Sequence, residues 1–243
     1  MSVPARILIA GATSAIAIEV ARRFAAEGAD LLLAGRDPAK LESVARDLRA
    51  RGAASCQNVV ADFSEPRSVD LIVGAAGPQI DAALLAWGTL PDQAAIEGDP
   101  DAIERALMVN AVSIVAMAAA IAPQISRGGC LAAIGSVAGD RGRRGNYVYG
   151  AAKAAIDVFM EGLRARLEPE GIRVLTIKPG WVDTPMTAAM KKNALFASPA
   201  AVGAAIHEGM KRRDGVIYAP GYWRWIMLVI RSMPGSLLRR LGI

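Results

Sequence analysis

The chain has 243 residues, of which 53% are hydrophobic and 5% aromatic, a composition that suits one large α/β domain and excludes a largely disordered chain. Its net charge is +5, but residues 222–243 carry four arginines and no acid, which leaves the remaining body at about +1. A basic excess confined to the C-terminus argues against a broad nucleic-acid footprint and for a local role of that segment.

Short apolar runs alternate with amphipathic stretches along the whole chain. Strands are predicted at residues 6–10, 30–34, 55–61, 81–87, 129–135, 172–178 and 215–218. Helices are predicted at residues 15–27, 38–51, 66–79, 100–126, 146–167 and 199–211. This alternation predicts a single Rossmann-like domain, a doubly wound parallel sheet of about seven strands with helices on both faces. We assign residues 1–221 to this domain, including its substrate pocket, and residues 222–243 to a basic, apolar tail.

Two segments compete for the fourth strand, residues 70–75 and residues 81–88. In the first, the apolar residues between Val69 and Ala76 recur at spacings of three and four, which is helical spacing. A crossover between parallel strands needs about a dozen residues, and the first segment would leave too few after the third strand. We therefore predict a helix there and place the strand in the second segment.

A tight turn of small residues follows the first predicted strand. Backbone N–H groups of such a turn, at a helix N-terminus, face a pyrophosphate that approaches the backbone closely. Gly11 is the glycine of this turn, and Ala15 and Ala17 occupy the other close-approach positions. The pattern by itself leaves a plain tight turn as the alternative. The predicted cofactor residues of the turn are Gly11, Thr13, Ser14 and Ile16.

The end of the second strand favours NADP(H) over NAD(H). An acid at this position would bind the adenosine ribose hydroxyl and select NAD(H), but Gly35 stands there and Arg36 follows. A guanidinium suits the 2′-phosphate of NADP(H), and Thr13 could add a hydroxyl donor. The neighbouring Asp37 keeps NAD(H) and a solvated Arg36 open as alternatives.

Ser136 ends the fifth strand, and Tyr149 and Lys153 follow it on one predicted helix. Positions i and i+4 share a helix face, so the phenol and the ammonium project together. A free tyrosine has a pKa of about 10, and a nearby lysine cation is expected to lower that pKa. The serine hydroxyl can hold a carbonyl oxygen. The arrangement predicts acid–base chemistry on a carbonyl or alcohol, with a chance spacing on a surface helix as the alternative.

With these residues the chain resembles the short-chain dehydrogenases/reductases over most of its length. The family's glycine motif falls on residues 11–17, and its catalytic serine, tyrosine, lysine and helix asparagine fall on Ser136, Tyr149, Lys153 and Asn110. The further cofactor residues that the resemblance implies are Asp62, Phe63, Ala86, Gly88, Tyr149, Lys153, Pro179, Gly180, Val182 and Thr184. The chain departs from the family at Ala15, at Ala17 and at the turn Ala86-Trp87-Gly88, where the family's asparagine is missing.

The resemblance implies a mechanism and an assembly. Hydride would pass from NADPH to a ketone carbon while Tyr149 protonates the oxygen. Lys153 would hold the nicotinamide ribose and tune Tyr149, Ser136 would position the carbonyl, and Asn110 would support proton supply through water. The reverse oxidation would use the same groups. The family also implies a homo-oligomer, a dimer or a tetramer, built through the two long helices.

Two segments point to the substrate. Arg141, Arg143 and Arg144 precede the catalytic tyrosine, and clustered guanidiniums suit a phosphate or another anion; a solvated loop or a subunit contact is the alternative. The tail mixes tryptophans, aliphatic residues and arginines and is too short to span a bilayer, which favours a helix in the membrane interface or a cover over the pocket or a subunit interface. Both segments resemble the decaprenylphosphoryl-2-keto-ribose reductases, which implies a keto-sugar on a polyprenyl phosphate as substrate.

The predicted function is an NADPH-dependent carbonyl reductase or alcohol dehydrogenase, with a small-molecule or lipid-linked carbonyl substrate. Two alternatives are a reductase of a small soluble ketone or 3-oxoacyl compound, and a nucleotide-binding regulatory protein with weak catalysis. We expect no nucleic-acid partner, and no metal because lone His207 has no second ligand in sight. Two separated cysteines and an N-terminal run that enters the glycine turn directly predict a cytoplasmic location, in solution or peripheral on the cytoplasmic membrane face.

Overall fold

The computed structural model describes residues 4–212 and 215–240; the side chain of Arg239 and residues 1–3, 213–214 and 241–243, which belong to the predicted domain and tail, lie outside the described residues. Strands β1 to β7 span Arg6–Ala10, Asp30–Gly35, Ser55–Val60, Ile80–Leu85, Ile125–Ile134, Arg173–Pro179 and Gly215–Ala219. Helices α1 to α10 span Ala15–Ala26, Pro38–Ala50, Arg67–Ala76, Gln93–Ile96, Pro100–Leu107, Ser113–Ile121, Tyr147–Leu167, Pro199–Arg212, Trp223–Ser232 and Gly235–Arg240.

The seven strands form one parallel sheet with the order β3-β2-β1-β4-β5-β6-β7. The direction of winding reverses between β1 and β4, and in such sheets the ligand crevice opens at the carboxyl ends of these two strands. The doubly wound parallel sheet predicted from the sequence is confirmed. The disputed fourth strand is Ile80–Leu85, which pairs with β1 and β5, and the competing segment forms α3.

Alternate residues of the central strands enter two separate cores. Ile7 and Ile9 of β1 pack with α1, α2 and α8 on one face of the sheet. Leu8 and Ala10 pack with α3, α6 and α7 on the other face. Because helices cover both faces, the strands are continuous apolar runs in the sequence.

The prediction of one continuous helix at residues 100–126 is wrong. A π-helical turn at Met108–Val112 separates α5 from α6, and a 3₁₀ turn at Ala122–Gln124 leads into β5, which begins before the predicted residue 129. The π-turn adds a residue to the helical turn at fully buried Asn110. By length and composition alone Pro100–Gln124 could cross a membrane, but α6 contacts α3, α7, β4 and β5 as a core helix.

The start of the tail packs directly on the domain. Trp223 and Met227 of α9 are buried against Val137, which follows β5. Trp181, in the loop after β6, meets Trp223 edge-on with 5.7 Å between ring centroids. The inner face of α9 is therefore part of the domain core, close to the loops at the carboxyl ends of β5 and β6.

Candidate active site

A cleft of about 520 Å³ opens at the carboxyl ends of the strands. It is formed by the loops after β1 to β6. Among the sequence-predicted residues, those that line it are Gly11, Thr13, Ser14, Ile16, Arg36, Asp62, Phe63, Ala86, Gly88, Ser136, Tyr149, Lys153, Pro179, Gly180, Val182 and Thr184. Asn110 and the three predicted substrate arginines do not line it. The topology thus brings nearly all of the predicted cofactor and catalytic residues together, although their roles stay predictions.

The glycine turn packs tightly against the end of β4. Gly11 has a positive φ of 83°, and a Cβ at this position would lie 2.6 Å from the carbonyl oxygen of Ala86. Only glycine fits this backbone without strain. Ser14 caps α1 with no side-chain hydrogen bond to the helix, so the first backbone N–H groups of α1 remain available at the cleft.

The loop after β2 carries two cations and an acid, and the acid caps α2. The Asp37 carboxylate accepts hydrogen bonds from the backbone N–H groups of Ala39 and Lys40, each at 3.0 Å, and so caps α2. These hydrogen bonds hold the pKa of Asp37 below its usual range. Arg36 is exposed at the cleft, and Lys40, which the sequence reading did not select, lines it as well. The loop therefore presents two cations and one acid to the cleft, with Lys40 Nζ 3.7 Å from Asp37 Oδ2.

The loop after β3 places an acid and a ring at the cleft wall. Asp62 Oδ1 accepts hydrogen bonds from the backbone N–H and the hydroxyl of Ser64, at 2.9 and 2.7 Å, and these lower the pKa of Asp62. The ring of Phe63 stacks on Trp87 with 4.1 Å between centroids. Trp87 also donates from Nε1 to Ser113 Oγ at 3.0 Å. Trp87 thereby anchors the turn after β4, where the family's asparagine is missing.

Ser136, Tyr149 and Lys153 meet on one side of the cleft. Lys153 Nζ lies 5.6 Å from the centroid of the Tyr149 ring and donates to the carbonyl oxygen of Ile134 at 3.1 Å. The Ser136 hydroxyl lies close enough to the Tyr149 phenol to lower its pKa, and Ser136 Oγ accepts from the Ala138 N–H at 3.1 Å. The helix spacing and the strand end therefore produce the predicted constellation.

The pKa of Tyr149 does not follow the sequence expectation. Burial raises it to about 12, against the smaller lowering effect of the Ser136 hydrogen bond. Burial also lowers the pKa of Lys153 to about 8, and the carboxylate of Asp157 opposes that change. The predicted lowering of the tyrosine pKa by Lys153 is therefore wrong for the protein groups alone, because desolvation disfavours both charged forms.

Asn110 lies beneath the turn after β4 and is fully buried. Its Oδ1 accepts from the Thr89 N–H at 2.9 Å, and its Nδ2 donates to the Ala106 carbonyl oxygen and to Thr89 Oγ1, at 3.0 and 3.2 Å. A Cβ on Gly88 would lie 2.7 Å from Asn110 Oδ1. The side chain of Asn110 thus supports the turn that forms the cleft wall, and its predicted role in proton supply remains a prediction.

The three arginines before the catalytic helix have different surroundings. Arg141 donates to the backbone carbonyl oxygens of Arg231 and Met233, both at 3.3 Å, and so ties the end of α9 to this loop. Arg144 is exposed. Arg143 is half-buried, its buried Nε has no hydrogen-bond partner among the described residues, and burial lowers its pKa. The nearby Asp140 carboxylate opposes this change of the pKa, so Arg143 has one anionic neighbour and one unpaired donor.

His207, the lone histidine of the chain, is buried on α8. Its ring meets Phe24 edge-on at 4.7 Å, and its Nε2 lies 3.2 Å from a carboxylate oxygen of Glu27. These contacts join α8 to α1, away from the cleft. The packing therefore supports a structural role for His207.

Comparisons with known proteins identify the family of the chain. A family model described as short chain dehydrogenase matches residues 5–195. An uncharacterized oxidoreductase of Streptomyces coelicolor is 36% identical over 99% of this chain and 97% of the relative. A second, from Mycobacterium tuberculosis, is 37% identical over 98% and 97%. Sulfoacetaldehyde reductase 2 of Chromohalobacter salexigens is 32% identical over 74% of each protein.

A solved structure shares the fold. It is a mutant short-chain dehydrogenase/reductase from Serratia marcescens, with a TM-score of 0.78 and 20% identity, and the match covers 89% of this chain and 96% of that one. The sheet order, the composition of the cleft and the family match lead to the same assignment. The chain belongs to the short-chain dehydrogenase family and is an NAD(P)-dependent oxidoreductase.

Proposed function

We propose that this oxidoreductase uses NADPH to reduce the carbonyl group of an anionic, lipid-linked substrate, with Tyr149 as the proton donor. The observation that carries the proposal is the meeting of Ser136, Tyr149 and Lys153 in one cleft. Because burial holds the pKa of Tyr149 at about 12, the phenol stays protonated at neutral pH. A protonated phenol is the form that a carbonyl reductase needs as a general acid.

The cleft fits a nicotinamide dinucleotide. The turn at Gly11 leaves no room for a side chain, and the N–H groups at the start of α1 are available to a pyrophosphate. Lys153 Nζ uses one of its three donors on Ile134, and no other acceptor within the described ranges bonds to it. Two donors therefore remain for the hydroxyls of a ribose.

Each side chain of the site has a separate role in the proposed reduction. A bound NADPH supplies the hydride. Ser136 orients the carbonyl oxygen, and Tyr149 donates its proton to that oxygen. The charge of Lys153 stabilises the phenolate that this transfer leaves behind. We assign Asn110, in its π-turn, to the support of proton resupply.

The preference for NADPH over NADH rests on the loop after β2. Its acid, Asp37, also lines the cleft, but its Oδ1 caps α2 and its Oδ2 lies 3.7 Å from Lys40 Nζ, so both oxygens already have partners within the loop. Arg36 and Lys40 both line the cleft. Two cations at this position favour the extra phosphate of NADPH.

Arg143 supports an anionic substrate. The Nε of this half-buried guanidinium has no hydrogen-bond partner among the described residues, and although Asp140 opposes the burial of its charge, an anionic ligand would stabilise it further. The sulfoacetaldehyde reductase relative carries the name of an anionic aldehyde. A phosphate, a sulfonate or a carboxylate on the substrate would meet the same requirement.

The outer face of α9 supports a lipid-linked substrate and a peripheral location on the cytoplasmic membrane face. Trp225, Leu228 and Val229 are 66, 55 and 58% exposed, and Arg224 stacks over the Trp225 ring with its Cζ 5.9 Å from the centroid. Exposed aromatic and aliphatic side chains beside arginines suit the interface of an anionic bilayer. A keto-sugar carried on a polyprenyl phosphate combines the lipid and the anion, and is our specific candidate.

Replacement of the proton donor tests the proposal. We expect Tyr149→Phe to lower kcat for NADPH-dependent reduction by at least about 100-fold, because general acid catalysis contributes at least that factor. Tyr147→Phe is the matched control, since Tyr147 lies on the same helix but is exposed and bonds to Glu97. Parental activity in the Tyr149→Phe enzyme would overturn the proposal.

The choice of substrates separates the alternatives. NADPH oxidation is measured with a polyprenyl-phosphate keto-sugar, with sulfoacetaldehyde and with a soluble 3-oxoacyl thioester. Preference for the lipid-linked compound supports the proposal, whereas turnover of the soluble compounds alone favours a reductase of small carbonyls. NADPH binding without turnover of any of them favours a regulatory nucleotide-binding protein.

A further inference from the structure

A buried ion cluster lies behind the catalytic residues. Lys178, near the end of β6, pairs with the carboxylates of Asp140 and Asp157, and its Nζ lies 2.9 Å from Asp157 Oδ2. Tyr218 on β7 donates to Asp140 Oδ2 at 2.7 Å. The side chain of Asp140 is 1% exposed and that of Lys178 10%. Ion pairs this deeply buried restrict the segments that carry them, because separating the partners would leave an uncompensated charge.

The cluster joins three segments of the active site. Asp140 lies in the 3₁₀ turn that begins directly after Ser136. Asp157 follows Lys153 by one turn of α7. Lys178 immediately precedes the Pro179-Gly180 turn of the cofactor cleft. The serine, the lysine and the cofactor turn are therefore tied to one another through side chains outside the cleft.

The carboxylate of Asp157 is enclosed by the two glycines that flank the serine segment. A Cβ on Gly135 would lie 2.9 Å from Asp157 Oδ1, and a Cβ on Gly139 would lie 2.7 Å from Asp157 Oδ2. Side chains at these positions would push the carboxylate away. The backbone on both sides of Ser136 therefore packs directly on Asp157.

Lys153 belongs to the charges of this region as well. Lys178 faces two carboxylates, and Lys153 supplies the second positive charge. Asp157 opposes the lowering of the Lys153 pKa, and Lys153 and Lys178 oppose the burial that raises the pKa of Asp157 to about 6. Asp157 and Lys153 thus favour each other's charged form. The titratable groups that face Asp157 are Lys153, Lys178 and Asp140, with Tyr218 and Arg143 beside Asp140.

We propose that Asp157 is a positioning residue of the catalytic centre, which keeps Lys153 charged and, with Lys178 and Asp140, holds the turn that carries Ser136. This inference rests on the reductase proposed above. It assigns a function to a cluster that touches neither substrate nor cofactor.

The first test removes the charge of Asp157 and follows NADPH binding against pH by the fluorescence of the bound cofactor. Asp157→Asn removes a negative charge near Lys153, so we expect the pKa of Lys153 to fall further. NADPH affinity is then lost at a lower pH, and its midpoint shifts down by about one pH unit or more. The control is Asp47→Asn, because Asp47 also bridges two cations, Arg22 and Arg51, but on the outer surface. An unshifted midpoint in Asp157→Asn overturns the proposal.

The second test examines the position of the turn that carries Ser136, independently of the charge of Lys153. Asp140→Asn leaves the Lys178–Asp157 pair in place, so we expect the midpoint of NADPH binding to stay parental while kcat for carbonyl reduction falls about tenfold or more. Parental kcat in this variant overturns the role assigned to the serine turn. If Asp157→Asn does not fold, Asp157→Ser also removes the charge and adds no volume beside Gly135 and Gly139, so it has to show the same lowered midpoint; an unshifted midpoint overturns the proposal. Since NADPH binding needs no substrate, a parent that binds NADPH but reduces no carbonyl refutes the proposed function and leaves the binding test intact.

Discussion

Burial is the main cause of the shifted pKa values of Tyr149 and Lys153. Burial raises the pKa of Tyr149 to about 12 and lowers that of Lys153 to about 8, so desolvation acts on both in the direction of the neutral form. For reduction the neutral phenol is useful, because it carries the proton to be donated. Lys153 differs, since in the proposed mechanism its positive charge stabilises the product phenolate. The carboxylate of Asp157 is therefore as relevant to the site as the tyrosine–lysine spacing itself.

Cofactor choice also belongs to the scale of single residues. We expect Arg36→Ala to raise the Kd for NADPH by about tenfold or more and to leave the Kd for NADH nearly unchanged, because a charge-assisted hydrogen bond to the 2′-phosphate is lost. Arg46→Ala is the matched control, since Arg46 lies exposed on the neighbouring α2, away from the cleft. Calorimetric titration with both cofactors measures the ratio. Equal loss of NADH and NADPH binding would contradict the assignment.

At the scale of elements, α9 has two faces with different tasks. Its inner face packs Trp223 and Met227 on the domain, while Trp225, Leu228 and Val229 face outward. Arg141 holds the C-terminal end of this helix through backbone carbonyl oxygens, so changes of the outer side chains leave that contact intact. The outer face can therefore be altered without unfolding the inner one.

This division of α9 makes membrane binding testable. We expect replacement of Trp225, Leu228 and Val229 by serine to abolish sedimentation with vesicles of anionic phospholipid, because the apolar area that enters the interface is removed. Leu71→Ser on α3 is the control, an exposed leucine of similar accessibility elsewhere on the surface. NADPH binding should persist in both variants. Vesicle binding that survives the triple replacement would contradict the proposed membrane surface.

At the scale of the whole molecule, the outer surface of the π-turn and of α7 exposes large apolar side chains. Val112, in the π-turn before α6, is 49% exposed, and Val158 on α7 is 71% exposed. The π-turn and α6 both contact α7, so these valines lie on neighbouring elements. Short-chain dehydrogenases commonly form oligomers, and such a surface suits contact with a second copy of the chain.

This surface leads us to predict a homo-oligomer. We expect the protein to be a dimer or a tetramer by light scattering, and Val158→Asp to shift it toward smaller species, because a charge at the centre of an apolar contact is left without a partner. Val60→Asp, at the end of edge strand β3, is the control with comparable exposure. A monomeric parent, or an unchanged mass in Val158→Asp, would contradict the expected interface.

The amino-acid sequence by itself determined the order of elements, the parallel sheet and the tyrosine–lysine pair. These follow from periodicities and from a spacing of four within one helix, which are local properties of the chain. The same spacing, applied once more from Lys153, leads to Asp157, so that residue could have been found. The continuity of the helix at residues 100–126 was mispredicted, because apolar periodicity does not reveal a π-turn such as the one at Asn110, whose side chain bonds to Thr89 in the turn after β4.

Only the tertiary structure decided how Asp140 and Lys178, 38 residues apart, meet behind the catalytic lysine. It likewise assigned Arg141 to the tail and left Arg143 without a partner on its Nε among the described residues. The tyrosine pKa also depended on tertiary burial, which outweighs the effect that the spacing alone predicts. The physical reason is common to all three: a local pattern specifies which side chains share a face, whereas desolvation and ion pairing depend on segments that fold against one another from distant parts of the chain.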